Sequence, residues 1–378
     1  MFINYVNEGD KMYKNKGSNF QIVSSNASWI ESTAIDQLKK MSTLKGIIKT
    51  VGMPDLHPGK TPVGAVYKTK NIVYPHIIGN DIGCGIALFN TSLKRHKFNV
   101  EKIIKKYEKY KCLSDIEVDL GDVKEYPLID KLGTIGSGNH FGEFQAIDQV
   151  VNEECFKKLG LNAKQVYLLV HSGSRNYGDY ILDHIFNGKI PVQGISVQSS
   201  DFGVYMNAHD KALKYAQENR EIIASRILSK VQSGQPSRVC ESVHNSITRE
   251  YHEKEQCYIH RKGAAPSNVG PIVIAGTRET PSFIVIPNTE TQEYLNSVSH
   301  GAGRKWHRSG CKDRLKNKYG KKSVKGYRSQ KLICRNKDLY YEEAPDAYKN
   351  INQVIQDLEQ NNLITVVATL KPLLTIKM

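Results

Sequence analysis

The chain has no apolar run long enough to cross a bilayer. Its longest runs, Val166-Tyr-Leu-Leu-Val170 and Ile272-Val-Ile-Ala275, have the length of buried strands, whereas a spanning helix needs ~20 residues. The first ten residues, Met-Phe-Ile-Asn-Tyr-Val-Asn-Glu-Gly-Asp, lack the charged-then-apolar order of a secretory signal, so the expected compartment is the cytoplasm. Seven cysteines, Cys84, Cys112, Cys155, Cys240, Cys257, Cys311 and Cys334, form no CxxC pair and are odd in number. That excludes a disulfide framework and a zinc knuckle. All but Cys84 are expected to be reduced, small apolar residues. There is no internal repeat at periods of 20 to 50 residues, which excludes a solenoid. No GxxxxGK[ST] occurs, and no GxGxxG follows a strand, so any nucleotide is held without a P-loop or a Rossmann turn.

The composition is that of a globular protein: 378 residues, 39% hydrophobic, 24% charged, with 29 glycines. The length allows up to three domains, but no long linker divides the chain, so one interwoven domain over residues 1–378 is expected. Lys and Arg number 53 against 38 Asp and Glu, a net charge of +15, which suits a polyanionic partner. The basic character concentrates in residues 312–337, where eleven Lys or Arg accompany one acid, Asp313, with Tyr319 and Tyr327 interleaved. Cations mixed with aromatics suit phosphate contacts and base stacking, so this stretch is expected to touch RNA.

Apolar spacing predicts helices over Ser28–Lys40, Val100–Tyr110, Ala208–Lys230 and Ala347–Glu359. Strands are expected at 63–66, 72–73, 77–78, 86–89, 166–170, 257–260, 272–275, 283–286 and 364–370. Helices and strands interleave, so the fold class is α/β, in the mixed α+β sense, with short strands, glycine-rich loops and surrounding helices.

Five segments set a metal-ligating side chain among or beside small and glycine residues. They are Asn80-Asp81-Ile-Gly-Cys84-Gly85, Gly136-Ser-Gly-Asn139-His140-Phe141, His171-Ser-Gly-Ser-Arg175, Val243-His244-Asn245 and Ser299-His300-Gly-Ala-Gly-Arg304. Together they offer one carboxylate, one thiolate and four imidazoles, a set that accepts Mn²⁺ or Zn²⁺ and is large enough for two ions sharing the thiolate. Glycine turns beside Arg175 and Arg304 also present backbone N–H groups and guanidinium forks to phosphate oxygens. Paired ions with such cradles point to phosphoryl chemistry. His300 is either a ligand or a nucleophile.

These segments, with Gly52-Met-Pro-Asp-Leu-His-Pro-Gly59, His260-Arg-Lys-Gly-Ala264 and Glu342-Glu-Ala-Pro-Asp-Ala-Tyr-Lys349, resemble the RtcB family of GTP-dependent RNA ligases over nearly the whole chain. The compact length, His300-Gly-Ala-Gly-Arg-Lys-Trp306 and Ile333-Cys-Arg335 are most similar to the short branch found beside the release-factor homologue PrfH, which is associated with ribosomal RNA repair. The resemblance implies a ligase that joins RNA 3′-phosphate or 2′,3′-cyclic phosphate ends to 5′-hydroxyl ends. It implies two Mn²⁺ and GTP, with His300 attacking the α-phosphate to form a histidine–GMP adduct.

Asp81, Cys84, His171 and His244 would hold one ion, and Cys84, His140 and His171 the other. Asn139, Glu143, Ser282, Arg304, Tyr348 and Lys377 would contact the nucleotide, and Arg175 the RNA terminal phosphate. His57 matches a family position but has no assigned role. The family's usual Gly-Ser-Met-Gly is replaced here by Gly276-Thr-Arg-Glu279. That substitution favours two other readings: a metal-dependent end-processing phosphoesterase, or an enzyme that caps ends with GMP without sealing. A non-catalytic RNA-binding protein is a third alternative.

Overall fold

A computed structural model describes residues 12–14, 19–120, 123, 126–252, 255–289, 291–306, 308, 310–311, 313–315 and 331–378. The basic stretch 312–337 lies mostly outside these described residues. Two large sheets dominate. The first has six strands in the order Met12–Lys14, Phe20–Val23, Ile47–His57, Val63–Thr69, Glu255–Lys262, Asn245–His252. The second runs Ser237–Val243, Gly85–Lys94, Gln165–Ser172, Phe141–Val150, Ile364–Lys377, Ser282–Pro287, Ile272–Ile274, with Leu332–Cys334 added in parallel beside Ile364–Lys377. The fold is thus mixed α/β. Among the described residues no helix is long and apolar enough to cross a membrane.

The central strand Gln165–Ser172 is buried at six consecutive residues, Val166–His171, and beyond at Ser172. Sheet and helices cover both of its faces, which is why it reads as a continuous apolar run. The Ser200–Leu228 helix packs against that sheet through Ile223, Ala224, Ile227 and Leu228, which bury apolar area at ~25 cal/mol per Å². The Ile47–His57 strand shares its core with the Ile351–Gln360 helix, through Val51 and Met53 on one side and Ile351, Val354 and Leu358 on the other.

Most sequence expectations hold in kind but shift at their ends. The first helix spans Ser32–Ser42 and leaves Trp29 exposed. The Ser28 hydroxyl, at the expected start of this helix, caps nothing and donates to the Asp357 carboxylate, as does Ser25 at 2.7 Å. A tertiary hydrogen bond to a charged acceptor outweighs a local cap. Residues 77–78 belong to a helical turn, Pro75–Ile78, not to a strand. Pro75 at its start fixes φ for a helix and has no N–H to donate to a sheet ladder. The long helix begins at Ser200, eight residues before the apolar periodicity becomes visible, because Ser199 caps it. The last helix begins at Ile351, capped by Asn350, with Pro345–Ala347 forming a separate 3₁₀ turn. The final strand runs through Pro372 to Lys377, with register shifts between Thr369 and Leu370 and between Pro372 and Leu374 that absorb the proline. All seven cysteines are free: Cys84, Cys240, Cys257 and Cys311 are buried, the others half-buried.

Candidate metal centre and nucleotide cleft

The functional side chains converge where the chain crosses between the two sheets. His244 is the single residue separating the last strand of one sheet, Ser237–Val243, from an edge strand of the other, Asn245–His252. Its backbone N–H donates to the Cys84 carbonyl at 2.9 Å. Cys84 immediately precedes the Gly85–Lys94 strand, His140 the Phe141–Val150 strand, and His171 is the last residue but one of Gln165–Ser172. Pairing of these strands, with Gly85 opposite Ser172 and Phe141 opposite His171, brings the three candidate ligand side chains to one sheet end.

The Cys84 Sγ lies 3.2 Å from His140 Nε2 and 3.2 Å from His171 Nε2, while His171 Nε2 lies 3.3 Å from His244 Nε2. His140 Nε2 also lies 3.2 Å from Asp81 Oδ2. The donors therefore form two groups, Cys84–His171–His244 and Asp81–Cys84–His140, each with ligand atoms within 4.8 Å of one another and both sharing the thiol. This differs from the expected grouping, because Asp81 stands beside His140, not beside His244. Tetrahedral ligands at 2.0–2.3 Å from an ion are about 3.3–3.8 Å apart, so these separations fit metal coordination.

Protonation fits as well. His171 Nδ1 donates to the Asn139 carbonyl at 3.1 Å, which leaves Nε2 as a lone pair aimed at the centre. His244 Nδ1 is buried without a partner. Burial, reinforced by His140 and His300 for His171 and by His300 and His171 for His244, holds both imidazoles neutral. Burial and then Asp81 push the Cys84 thiol well up; a bound cation reverses that preference and takes the thiolate.

His300 stands next to this centre, its ring 4.5 Å from that of His244. Its Nδ1 is 2.7 Å from Oδ2 of Asp55, a fully buried carboxylate. Burial is the largest influence and raises the Asp55 pKa, but His300, His57 and Ser299 together outweigh it and the net shift is downward. The carboxylate only accepts, so Nδ1–H donates to it and Asp55 leaves Nε2 unengaged. Two glycines make these carboxylates fit. A Cβ on Gly303, whose φ is +69°, would lie 2.3 Å from the Asp55 carbonyl oxygen, and one on Gly173 would lie 2.3 Å from Asp81 Oδ1.

A cleft of about 370 Å³ opens over the centre. Asn139, Glu143, Arg304, Tyr348 and Lys377 line it, as do His57, Lys262, Arg278 and Glu343, to which the sequence assigned no role. Glu143 is buried, accepts from Gln145 at 2.5 Å and from Thr375, and faces Lys377 and Arg278; burial pushes its pKa up to about 7. Lys377 donates to the carbonyls of Gly138 and His140 at 2.8 and 2.9 Å, which ties the final strand to the His140 loop.

Two expected contacts are directed elsewhere. Arg304 Nη1 meets both oxygens of the Glu343 carboxylate at 3.2 and 3.3 Å, Nη2 and Nε donate to the Glu342 and Trp306 carbonyls, and the guanidinium lies 5.1 Å from the Tyr348 ring centre. Ser282 accepts the Gly276 N–H at 3.1 Å and is not among the residues lining the cleft. The divergent loop is braced by Arg278, which donates to the carbonyls of Glu343 and Tyr340. Arg175 has φ +59° and ψ −145°, a conformation otherwise left to glycine, which costs about 1–3 kcal/mol. It sets a guanidinium nitrogen 3.4 Å from His140 Nδ1. Asp55 and His57 were legible only as parts of Met53-Pro-Asp-Leu-His57; nothing in their spacing announced a partner 245 residues away.

A mixed α/β fold with a thiol, imidazole and carboxylate cluster beside a carboxylate-paired histidine defines a protein built around a cleft whose donors could hold metal ions. Residues 37–125 and 121–378 match the family described as tRNA-splicing ligase RtcB. An RNA-splicing ligase RtcB2 from Escherichia coli is 40% identical over 94% of both chains. An RNA-splicing ligase RtcB homolog 1 from Entamoeba dispar is 27% identical over 91% of this chain and 82% of its own. A tRNA-splicing ligase RtcB from Nanoarchaeum equitans is 26% identical over 92% of each. The chain belongs to the RtcB family.

Proposed function

We propose that this chain is an RNA ligase that joins a 3′-phosphate or 2′,3′-cyclic phosphate end to a 5′-hydroxyl end, using GTP and two Mn²⁺. The observation that carries the reading is the His300–Asp55 pair set against two donor groups that share Cys84. Ions held by Cys84, His171 and His244 and by Asp81, Cys84 and His140 would offset charge on phosphate oxygens and acidify a bound hydroxyl.

His300 Nε2 attacks the GTP α-phosphorus; the N–P bond forms, the bond to the β-phosphate oxygen breaks, and pyrophosphate leaves. Asp55 accepts from Nδ1–H throughout and stabilises the cationic ring of the adduct, as the carboxylate does in a catalytic triad. A 2′,3′-cyclic end is first opened by water to a 3′-phosphate; GMP then passes to the RNA 3′-phosphate, which frees Nε2. The 5′-hydroxyl attacks the activated phosphate and GMP leaves. Arg175, a guanidinium nitrogen of which lies 3.4 Å from His140, would grip the terminal phosphate in a bidentate manner. Arg304, committed to Glu343, positions Tyr348 against the guanine instead of holding phosphate itself. The resemblance to the short branch supports repair of cleaved RNA in the cytoplasm, including ribosomal RNA, in company with a release-factor homologue.

The test is incubation with α-³²P-GTP, Mn²⁺ and an RNA bearing a 3′-phosphate, with and without a 5′-hydroxyl partner strand. Joined product in the first case and a 3′-capped strand in the second are expected. Capping without joining would establish the capping enzyme, removal of end phosphate alone the phosphoesterase, and binding without reaction the non-catalytic protein.

Glu143 supplies a pH-dependent prediction. Its pKa near 7 means that a carboxylate able to accept from guanine N1–H and N2–H is present above pH 7 and lost below it. The ratio of GTP to ATP affinity should fall about tenfold between pH 8 and pH 6, and Glu143→Gln should flatten it. Isothermal titration of both nucleotides against the His300→Ala protein measures this ratio. A ratio independent of pH in that background would remove Glu143 from guanine recognition.

A further inference from the structure

Behind the Phe141–Val150 strand lies a basic ridge that the cleft chemistry does not use. From Lys94 to Lys111 there are eight Lys or Arg, at 94, 95, 97, 102, 105, 106, 109 and 111, against two acids, Glu101 and Glu108. All eight are exposed, and none forms an ion pair with a described carboxylate. By contrast Lys157 pairs with Glu153 and Lys214 with Glu218. The Val100–Tyr107 helix sorts its faces. Ile103 and Tyr107 are buried against Ile223, Ile227 and Ile376, while Lys102, Lys105 and Lys106 are exposed on the remaining surface, followed in the next turn by exposed Lys109. Like charges at such close spacing repel one another along the exposed surface, and a facing anion would relieve that repulsion.

The ridge is fastened to the cleft. Phe98, just before the helix, packs on Phe144, the neighbour of Glu143, with ring centres 5.3 Å apart. The Arg335 guanidinium donates to the carbonyls of Tyr107, Glu108 and Tyr110 at the helix's C-terminal end. The Arg335 backbone N–H donates to the carbonyl of the cleft residue Lys377.

We propose that this ridge docks the phosphate backbone of an RNA duplex that adjoins the broken end. The proposal rests on the ligase reading and adds to it a structured substrate. Charge complementarity favours nucleic acid, and the surface chemistry favours a duplex over a single strand. Single strands are held by open aromatic platforms, but Tyr107 is buried, Phe98 is packed, and Tyr110 has the ammonium groups of Lys109 and Lys230 at 5.1 and 5.5 Å from its ring centre. A cationic stripe without such platforms suits a backbone read by shape and charge.

The experiment compares the wild type with the fourfold variant Lys102→Gln, Lys105→Gln, Lys106→Gln and Lys109→Gln. A control carries Gln at Lys157, Lys158, Lys211 and Lys214. Binding of a hairpin RNA with a 3′-phosphate, and of a short single strand with the same end, is followed by fluorescence anisotropy at several salt concentrations; joining of short single strands is followed separately. The ridge variant should lose at least tenfold in hairpin affinity at 0.1 M salt, and its log–log salt slope should shrink by about three. Single-strand joining and the control should match wild type. Unchanged hairpin affinity and slope in a ridge variant that still joins single strands would overturn the docking proposal and leave the ligase reading standing. Equal weakening for hairpin and single strand would overturn the choice of a duplex. A wild type that neither joins ends nor binds the hairpin would overturn both.

Discussion

Replacing His300 with alanine should leave a folded protein that still binds Mn²⁺ and GTP but carries no label after incubation with α-³²P-GTP. Sealing of a 3′-phosphate RNA should fall by at least ~10⁴-fold, the scale seen when a covalent nucleophile is removed. The same variant should still seal RNA supplied with a preformed 3′-GMP cap, because the last step needs the metal cleft and not Nε2 of His300. Asp55→Asn separates orientation from charge. Asparagine can still accept from Nδ1–H, but it cannot balance the cationic adduct, so guanylylation should drop by roughly 10²–10⁴ while capped RNA is sealed at a near wild-type rate. Wild-type labelling of the His300→Ala protein would disprove the nucleophile assignment outright.

The largest stability effect is expected at Arg220, which is fully buried in the long helix. Its guanidinium donates to Glu241 at 2.7 Å and to the carbonyls of Gly83 and Ser172, both at 2.8 Å. Gly83 precedes Cys84 and Ser172 follows His171, so one side chain fixes the backbone on which two ligands stand. Arg220→Ala leaves two buried carbonyls short of a donor and deprives the largely buried Glu241 of one of its two arginine partners, Arg238 being the other, and should destabilise the chain by about 3–5 kcal/mol in urea unfolding without metal. Mn²⁺ affinity should fall about 10–100-fold, as for other residues that hold metal ligands in place. A variant of wild-type stability and metal affinity would mean that the neighbouring strands alone position Cys84 and His171.

Helix and strand types were legible wherever burial is one-sided or complete. The Val100–Tyr107 helix has Ile103 and Tyr107 at spacing four, and Val166–Val170 is apolar throughout because both of its faces are covered. Ends were misread where a distant group competed. Ser28 caps nothing because Asp357, 329 residues away, takes its hydroxyl, and Ile77–Ile78 turned helical behind Pro75.

The sequence by itself determined the chemistry of the centre: one carboxylate, one thiolate and imidazoles, with Asp81 and Cys84 three residues apart so that one turn presents both. Only the tertiary structure decided the partners. His140, His171 and His244 lie 56, 87 and 160 residues beyond Cys84, and strand pairing, not spacing, sets Asp81 beside His140 and His171 beside His244. It likewise turned Arg304 onto Glu343 and set Asp55 under His300, because a buried charge must find its counter-charge or hydrogen-bond partner wherever the fold brings one.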